Sequence, residues 1–396
     1  MDLQDLVSQS FRTKFGQDPE ALARAPGRVN LLGEHVDYND GFVLPAAIDR
    51  ETWVAFSRSE AESSTILALD FSEQACFTSG SLAARQETGG RPLPGWAYYP
   101  AGVAWALADA GLASPALNAV ISSRVPRGAG LSSSASVEMA FLTTWSALGG
   151  WKLAPMASAL LCQKAENSFV GVQCGIMDPF ACACGRAGHL LLLDCRSLEW
   201  QALPLPEAAC IVIADTTRRR SLTGSDYNER REACQEAVVR LSETLPGIRA
   251  LRDVSLEDFN QAQSRLPGLV ARRARHVVEE IDRTRCAVPL LERGDMAGFG
   301  RLMLQSHASL RDLYEVSTPE LDAMVEVATG LPGCYGARLT GAGFGGCTVN
   351  LVERTRAEAF CRLLAAGYQA RTRLTPEIYL CQASDGARLI GENSGS

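Results

Sequence analysis

VPRGAGLSSSA, residues Val125–Ala135, joins an apolar run, LNAVISSRV, to a long apolar-faced stretch, SASVEMAFLTTWSAL. The order this predicts is strand, glycine turn, helix. Gly128 and Gly130 let the backbone bend tightly and come close to a ligand. Ser132, Ser133 and Ser134 follow, and a helix starting there directs its free N–H groups and positive dipole end back at the turn. Gly128, Ala129, Gly130, Leu131, Ser132, Ser133 and Ser134 therefore form a candidate phosphate cradle. The loop lacks the Gly-Lys-Ser/Thr ending of a Walker A loop. The competing reading is a plain N-cap, which serines supply routinely. The stretch alone leaves both readings open.

Two polar islands stand out in apolar surroundings. GEHVDYNDG, residues 33–41, places Glu34, His35, Asp37, Asn39 and Asp40 between VNLL and FVLPAAI, and His35 is one of only four histidines in the chain. It reads either as a surface turn, which Asn, Asp and Gly favour, or as a polar site at the edge of a core. VGVQCGIMDPFACACG, residues 170–185, holds a single charged side chain, Asp178. A carboxylate among small apolar residues costs desolvation energy unless something pairs it. Arg28, in PGRVN, is the candidate partner. A carboxylate placed beside a substrate hydroxyl can accept its proton, but Asp-Pro is also a common helix start with Asp as the cap. Glu166 is either a solvated helical acid or a ligand for Mg²⁺, which prefers hard oxygens and few protein ligands beside phosphates.

TGAGFGG, residues 340–346, matches GxGxxG at Gly341, Gly343 and Gly346. A dinucleotide fingerprint should open a helix, whereas the strand-like TVNLV follows here. The cluster therefore reads as a tight turn where two segments meet.

The chain has 396 residues, 46% hydrophobic and 21% charged, enough for a normal core. Length and texture predict two domains, 1–200 and 201–396, with a final strand, EIYLCQASDGARLI, packing back on the first. A net charge of −7 gives no support for nucleic-acid binding, and RRAR at Arg272–Arg275 reads as one solvated helix face. Thirteen cysteines, an odd number without a CxxC pair, read as reduced thiols in a cytoplasmic protein. Leu3, Leu6, Val7 and Phe11 recur at helical spacing near the start. No signal peptide or membrane span is implied.

The motifs, taken in order, resemble one family. GRVNLLGEHVDYNDGFVLP is similar to the galactokinase signature, VPRGAGLSSSAS to the phosphate loop of the wider GHMP small-molecule kinases, and ARLTGAGFGGCTV to their C-terminal glycine motif. GIMDPF, SLTGSDYNERREAC, SHASLRDLYEVSTPELD and CQASDGAR agree, so the resemblance runs from about residue 20 to 390. It implies a two-domain α+β fold: an N-terminal domain like ribosomal protein S5 domain 2, a ferredoxin-like C-terminal domain, and a site in the cleft between them. It implies phosphoryl transfer from ATP, with Mg²⁺, to the C1 hydroxyl of α-D-galactose. N-acetylgalactosamine or another C1-hydroxyl sugar is the nearer alternative, and a non-catalytic sugar and ATP sensor the further one. A monomer without nucleic-acid or membrane partners is expected.

By position, the resemblance makes Asp178 the catalytic aspartate, acting as base or by orientation, and Arg28 its arginine partner. Glu34, His35, Asp37, Gly175 and Tyr227 match sugar-contacting residues, with Asp178 also at the sugar. Ser134 and Glu166 match magnesium ligands. Trp96 and Tyr99 match aromatics near the adenine. Three departures stand out: Pro179 where glutamine is usual, Ala342 in place of the middle glycine of three, and Pro100-Ala101 where Val-Lys is common. If position 342 needs a positive backbone angle, alanine costs about 1 kcal/mol there.

Overall fold

The computed structural model describes residues 1–219 and 225–390; the start of the SLTGSDYNERREAC block, Ser221–Gly224, lies outside the described residues. Thirteen strands occur among the described residues: β1 (Ala21–Asn30), β2 (Phe42–Val43), β3 (Pro45–Arg58), β4 (Ser64–Ala68), β5 (Glu73–Phe77), β6 (Leu117–Ser123), β7 (His189–Asp194), β8 (Trp200–Pro204), β9 (Ala209–Asp215), β10 (Cys334–Leu339), β11 (Cys347–Glu353), β12 (Glu377–Cys381) and β13 (Arg388–Ile390). They form three sheets, ordered β13-β1-β3-β6-β4-β5, β10-β11-β9-β12 and β2-β7-β8.

The first sheet is antiparallel except where β4 runs parallel to β6. Side chains alternate across a strand, and here both faces are covered. Helix Leu3–Phe15 turns Val7 and Phe11 onto Ala55 and Val120 on one face. Helices Tyr98–Asp109 and Ser133–Gly149 cover Ala23, Val54, Phe56 and Ala119 on the other. Ser136 fastens the second of these helices: its hydroxyl donates to Ala25 O at 2.9 Å, and its oxygen lies 2.8 Å from Thr52 Oγ1, whose hydroxyl is then the donor. The N-terminus of that helix is thereby held against the middle of β1.

The alternation in β9 divides the second half in the same way. Cys210, Val212 and Ala214 face helices Pro319–Thr329 and Ala357–Thr372. Ile211 and Ile213 face Phe299 and Met303 of helix Met296–Asp312, in a cluster that continues into Val29, Leu31 and Leu44 of the first half. The two halves thus share an apolar core beneath the site.

Two expectations are corrected. The last stretch is not one strand but two: β12 pairs with β9, while β13 pairs with β1. The chain crosses between the sheets at Gly386, whose N–H donates to Gly185 O at 2.9 Å and where a Cβ would overlap the Ala183 carbonyl. RRAR is not a wholly solvated face. Arg273 is buried and donates to Leu313 O at 2.9 Å and Glu315 Oε2 at 2.5 Å, because successive helical residues point about 100° apart and two of the four, Arg273 and Ala274, face inward.

Candidate active site

Gly27 is where β1 and the glycine turn meet. The β1–β3 register shifts between Pro26 and Gly27, and a Cβ at Gly27 would stand 2.7 Å from Leu131 O. With only hydrogen there, the turn lies against the strand, and Arg28 N–H donates to Leu131 O at 3.1 Å. Gly128 and Gly130 adopt φ of 67° and 82°, angles that side chains resist. Ser132 occupies the N-cap of helix Ser133–Gly149 but makes no capping bond, so the capping reading of the serine run fails. The hydroxyl of Ser132 instead donates to Asp178 Oδ2.

Asp178 is in the first turn of helix Met177–Cys184, after its cap residue Ile176, so it is not the helix cap. Arg28, 150 residues away in sequence, donates to Asp178 Oδ1 from Nε at 2.8 Å and approaches it from Nη2 at 2.5 Å. Its Nη1 donates to Gly130 O at 2.6 Å. Burial works against the Arg28 charge, but Asp178 and Glu34 outweigh it and raise its pKa. The carboxylate, the guanidinium and the glycine turn are therefore one hydrogen-bonded unit.

A cavity of about 400 Å³ opens from this unit, lined on one side by Gly128–Ser134 and on the other by Glu34, His35, Asp37, Gly175 and Tyr227. The GEHVDYNDG stretch is a compact turn with a short 3₁₀ segment, Asp37–Asn39. His35 takes a positive φ of 60°. Its Nε2 meets Ala342 O at 3.1 Å and its Nδ1 meets Tyr38 OH at 2.8 Å. A carbonyl can only accept, so Nε2 carries the proton. Glu34 Oε2 accepts from Arg338 Nη2 at 2.6 Å and from Gly341 N–H at 3.0 Å, which joins the first motif to the third. Burial still pushes Glu34 upward. Asp37 is pushed up to about 7 by burial, then by the charges of Asp178 and Glu34. Tyr227 packs its ring 5.7 Å from His35 and 5.4 Å from Tyr38.

Glu166 lies in a one-turn π-helical segment, Ala165–Val170, which re-aims it toward the glycine turn. It is hydrogen-bonded by Ser134 and by Cys174 Sγ at 3.2 Å, and burial and Asp178 push it up to about 7. A hydroxyl and a carboxylate of hard oxygen character thus adjoin each other beside the glycine turn, a donor set that suits Mg²⁺. Next to the main cavity is another of about 330 Å³, bounded by Trp96, Tyr99, Phe71, Arg127 and Ser133. Trp96 stacks near-parallel to Phe71 at 6.2 Å, and the Arg127 guanidinium lies 4.3 Å over the Phe71 ring. Tyr99 borders both cavities.

Residues 9–58 match the galactokinase galactose-binding signature, residues 98–186 the GHMP kinase N-terminal domain and residues 287–370 the GHMP kinase C-terminal domain. A galactokinase of Roseiflexus sp. (strain RS-1) is 48% identical over 388 residues, covering 98% of this chain and 97% of that one. The human galactokinase is 44% identical over 384 residues, covering 96% and 95%. The chain belongs to the galactokinase family. Among solved structures, the galactokinase of Lactococcus lactis complexed with galactose superposes with a TM-score of 0.90 at 33% identity, covering 96% of this chain and 98% of that one. A mevalonate kinase at 18% identity and TM-score 0.63 shares the fold. The two-domain GHMP architecture and kinase class follow, as does the use of ATP.

Each departure from the galactokinase pattern has a local explanation. Pro179 is the third residue of its helix, where backbone N–H groups have no intrahelical partner, so no ladder bond is lost. Ala342 is not at a positive φ; the turn places Gly341, Gly343, Gly345, Gly346 and Phe344 there instead, so the expected strain is absent. Pro100 and Ala101 are buried in helix Tyr98–Asp109 and line neither cavity. The sequence reading missed the residues behind the site. Glu280 Oε1 accepts from Gly33 N–H at 2.9 Å and Ser306 Oγ at 2.7 Å, and its side chain pairs with Arg283. Burial pushes Glu280 up, yet Arg283, His276 and Arg338 together hold it down at about 2. His276 Nε2 meets Glu34 O at 3.2 Å, and burial pushes its pKa down to about 4. Tyr38 OH meets Tyr314 OH at 2.8 Å. The available signal was a charged residue at the inward phase of a helix or strand, as in ARRARHVVEEIDR and CYGARL.

No described helix is long and apolar enough to cross a membrane.

Proposed function

We propose that the chain transfers the γ-phosphoryl group of ATP to the C1 hydroxyl of α-D-galactose, giving α-D-galactose 1-phosphate, the committed entry into galactose use. The observation that carries this is the Arg28–Asp178 pair, bonded to the glycine turn on one side and facing the cavity of Glu34, His35, Asp37, Gly175 and Tyr227 on the other. Phosphoryl transfer asks mainly for positioning and charge neutralisation, and this site is arranged for both.

In this reading Glu34, His35, Asp37, Gly175 and Tyr227 enclose the sugar. Asp178 holds the C1 hydroxyl and accepts its proton as the oxygen attacks. Arg28 steadies Asp178 and offsets charge on the transferring group. Gly128, Ala129, Gly130, Leu131, Ser132, Ser133 and Ser134 cradle the phosphates, chiefly through backbone N–H groups at the helix start. Trp96 and Tyr99 border the nucleoside. Ser134 and Glu166 would hold Mg²⁺, which supplies neutralisation of phosphate charge when bound. The halves 1–200 and 201–396 act as the two GHMP domains, with the site in the cleft.

Coupled ADP release over a panel of sugars tests the reading. Turnover with galactose, at least about 100-fold above N-acetylgalactosamine in kcat/KM, is expected, since one bulky substituent in a closed pocket readily costs that much. Higher kcat/KM for N-acetylgalactosamine would reassign the substrate, and sugar binding without ADP release would make the protein a sensor.

A further inference from the structure

Ser132 is held in a conformation that serine does not favour. Its φ and ψ are 57° and 48°, the left-handed region, which a residue with a Cβ enters only at a cost. The usual return for a serine at a helix N-cap is a bond to the backbone N–H two or three residues on, and Ser132 makes no such bond. The residue is buried, with 7% of its surface exposed. Its hydroxyl donates to Asp178 Oδ2.

A serine hydroxyl has one proton to give. A phosphate oxygen accepts hydrogen bonds, as does the Asp178 carboxylate. With its proton on Asp178, the Ser132 side chain cannot also donate to a phosphate, whatever its backbone N–H does. We propose that Ser132 is a positioning residue for Asp178, fixing the carboxylate plane toward the sugar, rather than a side-chain ligand of the nucleotide. The inference rests on Asp178 being the group at the C1 hydroxyl.

The geometry also couples the two substrates. Arg28 holds Oδ1 and is itself bonded to Gly130 O, while Ser132 holds Oδ2. Both anchors of Asp178 therefore run through one turn, Gly128–Ser134. A nucleotide seated on that turn would therefore touch the same segment that orients the carboxylate. Loss of the Ser132 hydroxyl should therefore affect the reaction step and spare binding.

The test compares Ser132→Ala, Ser132→Gly and Ser132→Asn in the full chain, with steady-state kinetics on galactose and ATP and with galactose affinity by calorimetry as the folding control. Ser132→Ala and Ser132→Gly should both lower kcat by roughly 10- to 100-fold, the scale of a misplaced catalytic group, with both KM values within about 3-fold. Ser132→Asn, which tolerates the left-handed backbone and carries an N–H donor, should recover part of the loss. In an Asp178→Asn background, Ser132→Ala should add no further loss, because a residue acting through Asp178 is not additive with it. A raised KM for ATP with kcat unchanged would overturn the proposal in favour of a phosphate contact. Full activity in Ser132→Gly would likewise overturn it and leave only a backbone role. If the unsubstituted chain turned over no sugar while binding galactose, the kinase reading would fail and this role with it; turnover in the unsubstituted chain with Ser132→Ala unaffected would sink the role alone.

Discussion

Gly175 and Asp37 are 138 positions apart in sequence, and a Cβ on Gly175 would overlap Asp37 Oδ2. Gly175 therefore creates the space in which the Asp37 carboxylate stands at the wall of the cavity proposed to hold the sugar. Gly175→Ala should push Asp37 aside and raise the KM for galactose at least about 10-fold, with little change in the KM for ATP, as expected when substrate-side binding alone is lost. Unchanged galactose KM in this variant would mean that Asp37 does not face the sugar.

Asp37 also makes stability depend on pH. Its folded pKa is about 7, against an ordinary 3.8, because of burial and the neighbouring acids. Between those values the folded chain retains a proton that the unfolded chain releases, so the Asp37 contribution to stability is greatest at low pH and falls as pH rises toward 7. Asp37→Asn cannot make that change. Its melting temperature should fall less between pH 5 and pH 7.5 than that of the unsubstituted chain; equal slopes would refute the assignment. Glu166 and Glu138, raised in the same direction by burial, account for the slope that persists.

Glu138 is fully buried in helix Ser133–Gly149, four residues after Ser134, and both its carboxylate oxygens are without hydrogen-bond partners among the described residues. Burial, then the charges of Glu166 and Asp178, push its pKa well above the carboxylate range. An unpaired buried polar group costs about 1–3 kcal/mol, so Glu138→Met, of similar size, should raise the melting temperature. A lower melting temperature would show that the acid has a stabilising role there.

Arg338 has no exposed surface and donates to Glu34 at 2.6 Å. Removing one partner of a buried ion pair leaves the other charge uncompensated, at a cost of about 3–5 kcal/mol. Arg338→Met should therefore lower thermal stability sharply, leaving Gly341 N–H and the His35–Ala342 contact as the remaining ties between GEHVDYNDG and TGAGFGG. Thermal melts with and without galactose would measure it, and a change below about 1 kcal/mol would show that the Glu34 contact is not stabilising.

Asp178→Asn keeps the shape of the side chain but removes the charge that Arg28 binds and the capacity to take a proton. kcat should fall about 100-fold or more, while galactose affinity by calorimetry changes little. Near-normal kcat with intact folding would eliminate the proton-accepting role.

Much of the fold was legible in order. The strand–turn–helix at Val125–Ala135, the N-terminal amphipathic helix and the turn between strands at TGAGFGG all carry their information locally, in glycine placement and in periods of 3.6 and 2. Gly128, Gly130 and the inward face of Leu3, Val7 and Phe11 needed no long-range knowledge. The closing segment packs its end on the first sheet as expected, but it is two strands, not one, and the break falls near Gly386, where the backbone comes close to Ala183.

The sequence by itself determined which chemistry was present: a glycine turn without lysine, a lone aspartate in an apolar segment, and a knot of acids with one imidazole. Those are properties of residue type and spacing, and they survive in an extended chain. Only the tertiary structure decided how that chemistry is used. Arg28 reaches Asp178 across 150 positions, the Ser132 hydroxyl turns from capping its helix to holding that carboxylate, and Glu34 is bound by Arg338 from 304 positions away. A hydrogen bond acts over about 3 Å of space and is indifferent to separation along the chain, so these pairings arise only when the sheets bring distant segments together.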